Sequence, residues 1–182
     1  MGKTFIIADT HFGDSGAILK YEGRPFSNGA EMDRAMVENW NRVVGEEDTV
    51  YHLGDVAVGR SEQELSALLK ELKGRKILVM GNHDRSFDVR HWMELGFAEV
   101  YPLPVLFEDF YILSHEPLYV NTASPYANLF GHVHGNPTYR TVSARSYCAC
   151  VERNNYAPVP FEQIRSQIAS ESRGLEKKGE PR

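Results

Sequence analysis

Thr4-Phe5-Ile6-Ile7-Ala8, followed at once by Asp9-Thr10-His11, is the stretch that decides the fold. A near-continuous apolar run of this length reads as a strand buried on both faces of a sheet. A carboxylate and an imidazole stand where it ends. The pattern recurs four times: Asp48 to Leu53 runs into Gly54-Asp55, Lys76 to Met80 into Gly81-Asn82-His83-Asp84, Phe110 to Leu113 into Ser114-His115, and Ala127 to Phe130 into Gly131-His132-Val133-His134. In open α/β sheets the carboxyl ends of the strands form one crevice, and ligands bind there. Loops spread from residue 9 to residue 134 therefore converge.

Helical patterns separate the first strands. Residues 13–29 read as a Gly-containing loop. Met32, Ala35, Met36, Trp40, Val43 and Val44 fall at helical spacing within Glu31 to Val44, with Gly45 as a stop. Ser61 to Glu64 is a capping box, Leu65, Leu68, Leu69 and Leu72 form one stripe behind it, and Gly74 ends that helix. A short helix fits Val89 to Leu95. From Phe97 onward the pattern is strand-rich: Val105 to Phe107, a hairpin turn at Glu108-Asp109, Phe110 to Leu113, Ala127 to Phe130, and residues 138–151. Phe161, Ile164 and Ile168 fit a last helix with Pro160 near its start. Alternation of strand and helix in the first half predicts βαβ units, and the second half predicts an antiparallel or mixed sheet, hence a layered α/β sandwich. Residues 1–169 read as a single domain and 170–182 as a polar, flexible tail.

The residue types at the strand ends are those that hold divalent first-row metals: neutral imidazole, carboxylate and amide oxygen. They outnumber what one ion can use, which points to a two-metal centre. Asp9 and His11 are two apart, so an extended backbone would aim both at one ion, and His132 and His134 repeat that spacing. Asp55 has two carboxylate oxygens, one for each ion. Two divalent ions bring four positive charges and Asp9 with Asp55 remove two, so the remainder suits a phosphate and a hydroxide. Gly54, Gly81 and Gly131 let the chain turn sharply and bring the ligands close.

Bulk properties exclude other classes. The 182 residues suit one domain with a sizeable core, and 42% hydrophobic and 25% charged residues are ordinary for a globular protein. A net charge of −5 argues against a protein that coats long nucleic acid. No apolar stretch is long enough to span a bilayer, and the N-terminus shows no signal-peptide pattern. Cys148 and Cys150, two apart, make a poor disulfide and read as a reduced pair, so a cytoplasmic location is the expectation.

In this order, Asp-x-His, Gly-Asp, Gly-Asn-His-Asp, His and Gly-His-x-His resemble the calcineurin-like metallophosphoesterases over about residues 3–160. Asp9-Thr10-His11-Phe12-Gly13, Arg24-Pro25-Phe26 and Tyr51-His52-Leu53-Gly54-Asp55 look like the compact bacterial or phage phosphohydrolase branch. The resemblance implies the metallo-dependent phosphatase fold, a four-layer α/β/β/α sandwich of two mixed β-sheets flanked by helices. It implies one ion on Asp9, His11, Asp55 and His134, and a second on Asp55, Asn82, His115 and His132. It also implies in-line attack on phosphorus by a bridging hydroxide, with His83 protonating the leaving oxygen and Asp84 orienting the His83 ring. The cofactors would be two divalent ions, manganese first, with Fe, Zn, Ni, Co or Mg as alternatives. The partner would be a small phosphorylated substrate, with no membrane. Members of this branch often carry His after Phe-Gly, whereas this chain has Asp14.

Arg24 is a candidate phosphate clamp or a surface salt bridge, and Arg85 and Arg140 are weaker versions of the same idea. His52 and His91 read as structural. The leading function is phosphodiester hydrolysis, with a monoester or nucleotide pyrophosphate as runner-up. A non-catalytic interaction module or a nuclease is the alternative from another class. Oligomeric state is open.

Overall fold

The computed structural model describes residues 2–14, 16–121, 123–137, 143 and 145–178, with side chains up to residue 171. Among the described residues, nine strands form two mixed sheets. The first has the order β4-β3-β2-β1-β9, from β1 (Thr4–Ile7), β2 (Thr49–His52), β3 (Arg75–Val79), β4 (Glu99–Tyr101) and β9 (Val159–Pro160). Its first four strands are parallel, and β9 adds to β1 antiparallel. The second has the order β5-β6-β7-β8, from β5 (Val105–Phe107), β6 (Tyr111–Leu113), β7 (Ala127–Phe130) and β8 (Ser146–Cys148). Here β5 and β6 form an antiparallel hairpin, while β6, β7 and β8 run parallel.

Burial follows the alternation of side chains along a strand. Phe5 and Ile7 face a core shared with Met32, Met36, Trp40, Leu65, Leu69 and Trp92, which belong to α2 (Gly29–Val43), α3 (Glu62–Glu71) and α4 (Val89–Leu95). Ile6 and Ala8 face a second core between the sheets, with Leu53, Val79, Leu113 and Leu129. This second core also takes Phe161, Ile164 and Ile168 of α5 (Phe161–Lys178). The expected two mixed sheets flanked by helices are present.

Caps set the helix starts. Asn28 Oδ1 accepts the Glu31 amide at the head of α2, and Ser61 with Glu64 forms the expected capping box before α3. Four differences from expectation have local causes. The 13–29 stretch contains α1 (Ala17–Tyr21), a five-residue helix with no side-chain cap at its Gly16 start, too short to show a period. β4 and β9 are edge strands of three and two residues, below the length at which alternation is legible, and β9 carries the proline that an edge tolerates. The expected strand over 138–151 is seen only as β8; residues 138–142 and 144 of that stretch lie outside the described residues. The polar stretch after Ser170 continues α5 to Lys178.

Candidate metal centre

The two sheets meet where the candidate ligands sit. Ala8 N donates to Ala149 O at 3.0 Å and Val151 N to Ala8 O at 3.2 Å, tying the end of β1 to the segment after β8. Asp9 N donates to Gly54 O and His11 N to Asp55 O, both at 3.0 Å, and Gly131 N donates to His115 O at 2.9 Å. The loops after β1, β2, β3, β6 and β7 thus share one rim.

Among the described residues, the predicted ligands gather into two groups. Asp9, His11 and His134 place one atom each within 4.8 Å of one another, as do Asp55, His115 and His132. Asp55 joins them through a single oxygen: Oδ2 lies 3.6 Å from His11 Nε2 and 3.5 Å from His115 Nε2. Its other oxygen, Oδ1, accepts the His83 amide at 2.9 Å. The expected division of one oxygen per ion is therefore replaced by one oxygen facing both groups. Asn82 Oδ1 lies 2.9 Å from His115 Nε2 and 3.1 Å from His132 Nδ1.

These residues fit a pair of divalent ions. Atoms that share one ion at about 2.1 Å lie about 3.0–3.4 Å apart in octahedral or tetrahedral geometry, close to the spacings here. His115 Nδ1 lies 2.8 Å from Leu53 O, a carbonyl that only accepts, so Nδ1 carries a proton and Nε2 is the nitrogen left to ligate. Nε2 faces the Asn82 carbonyl oxygen at 2.9 Å and His132 Nδ1 at 3.2 Å, three ligand atoms that one divalent ion would draw together. His11 Nε2 is buried without a hydrogen-bond partner and lies 3.6 Å from Asp55 Oδ2 in the same space.

The backbone is bent to achieve this. Asp9 (φ 61°), His11 (49°), Asp55 (58°), His132 (69°) and His134 (48°) all occupy the left-handed region. Each costs about 1–2 kcal/mol for a residue with a Cβ, and such strain collects at functional sites. The extended geometry expected for Asp9-x-His11 and His132-x-His134 is thus corrected: paired left-handed residues aim these side chains. Gly54 (φ 91°) is needed for its turn, and a Cβ there would lie 2.5 Å from Gly81 N. Gly81 and Gly131 serve close approach only. A Cβ on Gly131 would lie 2.5 Å from Asp9 Oδ2, and one on Gly81 would collide with the Asp55 carboxylate.

Burial dominates the electrostatics. It raises the Asp9 carboxyl to about 6, against the opposing pull of His115 and His134. It lowers His11 to about 2, aided by the positive fields of His134 and Arg24, so the ring stays neutral and free to ligate. His132 is lowered by burial and by His115. For His134 burial also lowers, but the hydrogen bond to Glu152 and the charge of Asp9 outweigh it and the net direction is up.

His83 stands at the mouth. Its side chain is 53% exposed, its Nε2 lies 4.0 Å from Asp55 Oδ2, and its ring meets His11 edge-on. The expected support from Asp84 is corrected. The Asp84 carboxylate is fully buried and accepts the main-chain amides of Asp55 (2.7 Å), Val56 (2.9 Å) and Gly81 (2.8 Å), so it pins two ligand loops rather than the His83 ring. Arg24 is corrected too, since it is neither a clamp nor a surface bridge. All five of its N–H groups are taken inside, by Glu152 Oε1, Asp9 O, Thr10 O and Met32 Sδ. Asp14 turns its carboxylate to the amides of Gly16 and Ile18. Arg85 is exposed beside Glu116, and Arg140 lies outside the described residues. His52 is buried beneath the first loop, with Nε2 2.9 Å from Thr10 Oγ1, and His91 stacks on Phe87.

Several supporting residues escaped the sequence reading. Glu152 Oε1 accepts His134 Nδ1 at 2.9 Å. Asn128, on β7, accepts Leu118 N and donates to Ile112 O and Ser114 Oγ, holding the His115 loop. Asp33 accepts the Gly13 amide and pairs with Arg60. Asn128 is a lone polar residue in an apolar run, a signal the sequence does carry; Asp33 and Glu152 have charged neighbours and look like surface residues in the sequence.

Comparison with known proteins agrees with this geometry. The calcineurin-like phosphoesterase family profile matches residues 2–165. The uncharacterized protein MJ1445 of Methanocaldococcus jannaschii is 42% identical over 86 residues, 47% of this chain and 48% of that one. The Gene 66 protein of Mycobacterium phage D29 is 37% identical over 87 residues, 47% of this chain and 42% of that one. The chain thus spans about half the length, or less, of the curated relatives it matches. The crystal structure of the protein of unknown function AQ665 from Aquifex aeolicus superposes with a TM-score of 0.70 at 27% identity, covering 92% of this chain and 100% of that one. With the family profile running through all five loops, the chain belongs to the calcineurin-like phosphoesterase family.

Proposed function

We propose that the chain is a dinuclear metal-dependent phosphoesterase acting on a small phosphodiester in the cytoplasm, with manganese as the first choice of ion. The observation that carries this reading is the pair of ligand groups sharing Asp55 Oδ2. Asp9, His11, Asp55 and His134 would hold one ion, and Asp55, Asn82, His115 and His132 the other. Two such ions, when bound, lower the pKa of water from about 15.7 to about 7 and offset charge on a phosphoryl group.

The chain's own residues do the rest. His83, half-exposed at the mouth, is placed to hold a proton for the leaving oxygen. A diester gains most from this, because its alkoxide leaving group needs the proton. The occupied Arg24 supports the same choice: with that guanidinium turned inward, it is not free to offset the second charge of a monoester dianion. A monoester or nucleotide pyrophosphate remains the second reading, on the same site. Two unpaired thiols, Cys148 and Cys150, with Sγ atoms 3.2 Å apart, support a reducing compartment. No described helix is long and apolar enough to cross a membrane.

The test is hydrolysis of bis-p-nitrophenyl phosphate and p-nitrophenyl phosphate by chelator-stripped protein with Mn, Ni, Zn or Mg restored. Metal-dependent release that prefers the diester is expected. Preference for the monoester would move the assignment to the second reading, and failure to bind any of the ions would overturn both.

A further inference from the structure

His134 is held differently from the other candidate ligands. The far nitrogen of His115 meets a main-chain carbonyl, whereas His134 Nδ1 meets the Glu152 carboxylate. That carboxylate is itself engaged: Oε1 also accepts Arg24 Nε at 2.9 Å and Nη2 at 2.6 Å. The two side chains are 0% and 6% exposed. Arg24 then reaches the first ligand loop, with Nη2 donating to Asp9 O at 2.7 Å and Nη1 to Thr10 O at 2.9 Å. One buried ion pair therefore touches His134 through its ring, Asp9 through its carbonyl, and the residue before His11. None of its hydrogen bonds goes to Asn82, His115 or His132.

A buried ion pair is a poor way to stabilise a fold, because an apolar pair of similar volume is often neutral or better. Here Glu152 Oε2 is buried with no hydrogen-bond partner. What the pair does supply is direction. A carboxylate on the far nitrogen of a ligating histidine fixes tautomer and ring orientation. Arg24 meanwhile bonds the carbonyls of a turn whose Asp9 and His11 are left-handed. Glu22, His134 and Glu152 also bring ligand atoms within 4.8 Å, but the guanidinium on Glu152 already puts a positive charge there, so this is not a third cation site.

We propose that Arg24 and Glu152 are positioning residues for the Asp9/His11/His134 half of the centre: Glu152 keeps the His134 proton on Nδ1 so that Nε2 faces Asp9, and Arg24 holds the strained first loop. The proposal rests on the two-ion reading above and adds that the two halves are held by separate devices.

Two variants test it: Glu152→Gln, and the double variant Arg24→Met with Glu152→Leu, which replaces the ion pair by an apolar pair. Long-range 1H–15N spectra of metal-free protein near pH 8.5, well above the ordinary imidazole pKa of about 6.5, report the His134 tautomer. Calorimetric Mn(II) titration reports each ion. In the wild type the proton is expected on Nδ1 and two Mn bind. In the double variant the proton moves toward Nε2, one Mn weakens by about 10–100-fold, and the other stays within about threefold. Glu152→Gln is expected to fall between. An unchanged tautomer, or equal weakening of both ions in folded protein, overturns the proposal, as does wild-type protein that binds fewer than two Mn. Two-ion binding without hydrolysis of any ester would remove the phosphoesterase reading and leave this one standing.

Discussion

Gly131→Ala isolates the effect of one methyl group on the metal centre. Gly131 does not occupy the left-handed region, so alanine brings no backbone penalty and the perturbation is steric. The new Cβ would lie 2.5 Å from Asp9 Oδ2 and 2.7 Å from Ala8 Cβ. Ordinary contact begins near 3.4 Å, so the carboxylate must retreat by almost an ångström. It has nowhere easy to go: Asp9 is fully buried, and both its oxygens accept the His132 amide, at 3.1 and 2.9 Å. Overpacking of this kind costs about 1–3 kcal/mol, which in a chain of this size lowers the melting midpoint by about 2–4 °C per kcal/mol. The functional loss is larger, since metal–ligand distances tolerate only about 0.2 Å and a 1 Å misplacement costs about 10²-fold in rate. Gly135→Ala is the matched control. Its Cβ would meet nothing closer than Glu22 Oε2 at 3.7 Å, so stability should stay within about 0.5 kcal/mol of the parent. The assays are denaturation of metal-free protein, Mn(II) titration and bis-p-nitrophenyl phosphate hydrolysis. If Gly131→Ala binds metal and hydrolyses the diester as Gly135→Ala does, Asp9 is not a ligand in the position described.

Three other outcomes are expected. His83→Ala should keep both ions yet slow diesters with alkoxide leaving groups by about 10²–10⁴-fold, with less effect on p-nitrophenol esters; equal slowing would remove the acid role. Asp84→Asn sets an amide N–H against main-chain donors at Asp55, Val56 and Gly81, and each donor left unsatisfied costs about 1–3 kcal/mol; urea denaturation of metal-free protein should show a loss in that range, and no change would mean the clamp is idle. Burial holds His52 at about 3, below its unfolded value, so its neutral form contributes stability above about pH 6.5 that is lost as pH falls toward 3, on the order of 5 kcal/mol in all. His52→Gln keeps a donor for Thr10 and should flatten that loss in metal-free acid titrations; identical acid profiles would refute the assignment.

The candidate ligands stand out in the sequence because ion chemistry restricts residue type. Asp, Asn and His are among the few side chains that suit such positions, and the apolar run before each cluster makes it conspicuous. The fold was legible for a related reason: strands buried on both faces, such as Thr4 to Ala8, cannot be mistaken for amphipathic surface segments. What stayed hidden was held by the backbone. Nothing in Asp9-Thr10-His11 announces that both ligands adopt left-handed φ, because that choice is forced by bonds to Gly54 O and Asp55 O from another loop. The extended reading of Asp9-x-His11 failed for this reason, and His132, whose amide donates to the Asp9 carboxylate, departs from it likewise.

The same distinction explains Asp84, Arg24 and Glu152. A carboxylate next to a histidine invites a side-chain pairing, yet three unpaired amides at the ends of two strands are a stronger demand on Asp84, since buried N–H groups must find acceptors. Arg24 drew the clamp reading because guanidinium suits phosphate. Its real partners include two carbonyls of the first loop and a carboxylate 128 residues away in sequence. Residues that touch an ion are constrained by chemistry and can be read one at a time. Residues that aim those ligands are constrained by geometry between distant segments, so their identity becomes legible only once the loops are brought together. Altering Arg24 or Glu152 should therefore change which ion is lost before it changes whether the protein folds, as Mn(II) titration beside urea denaturation would show.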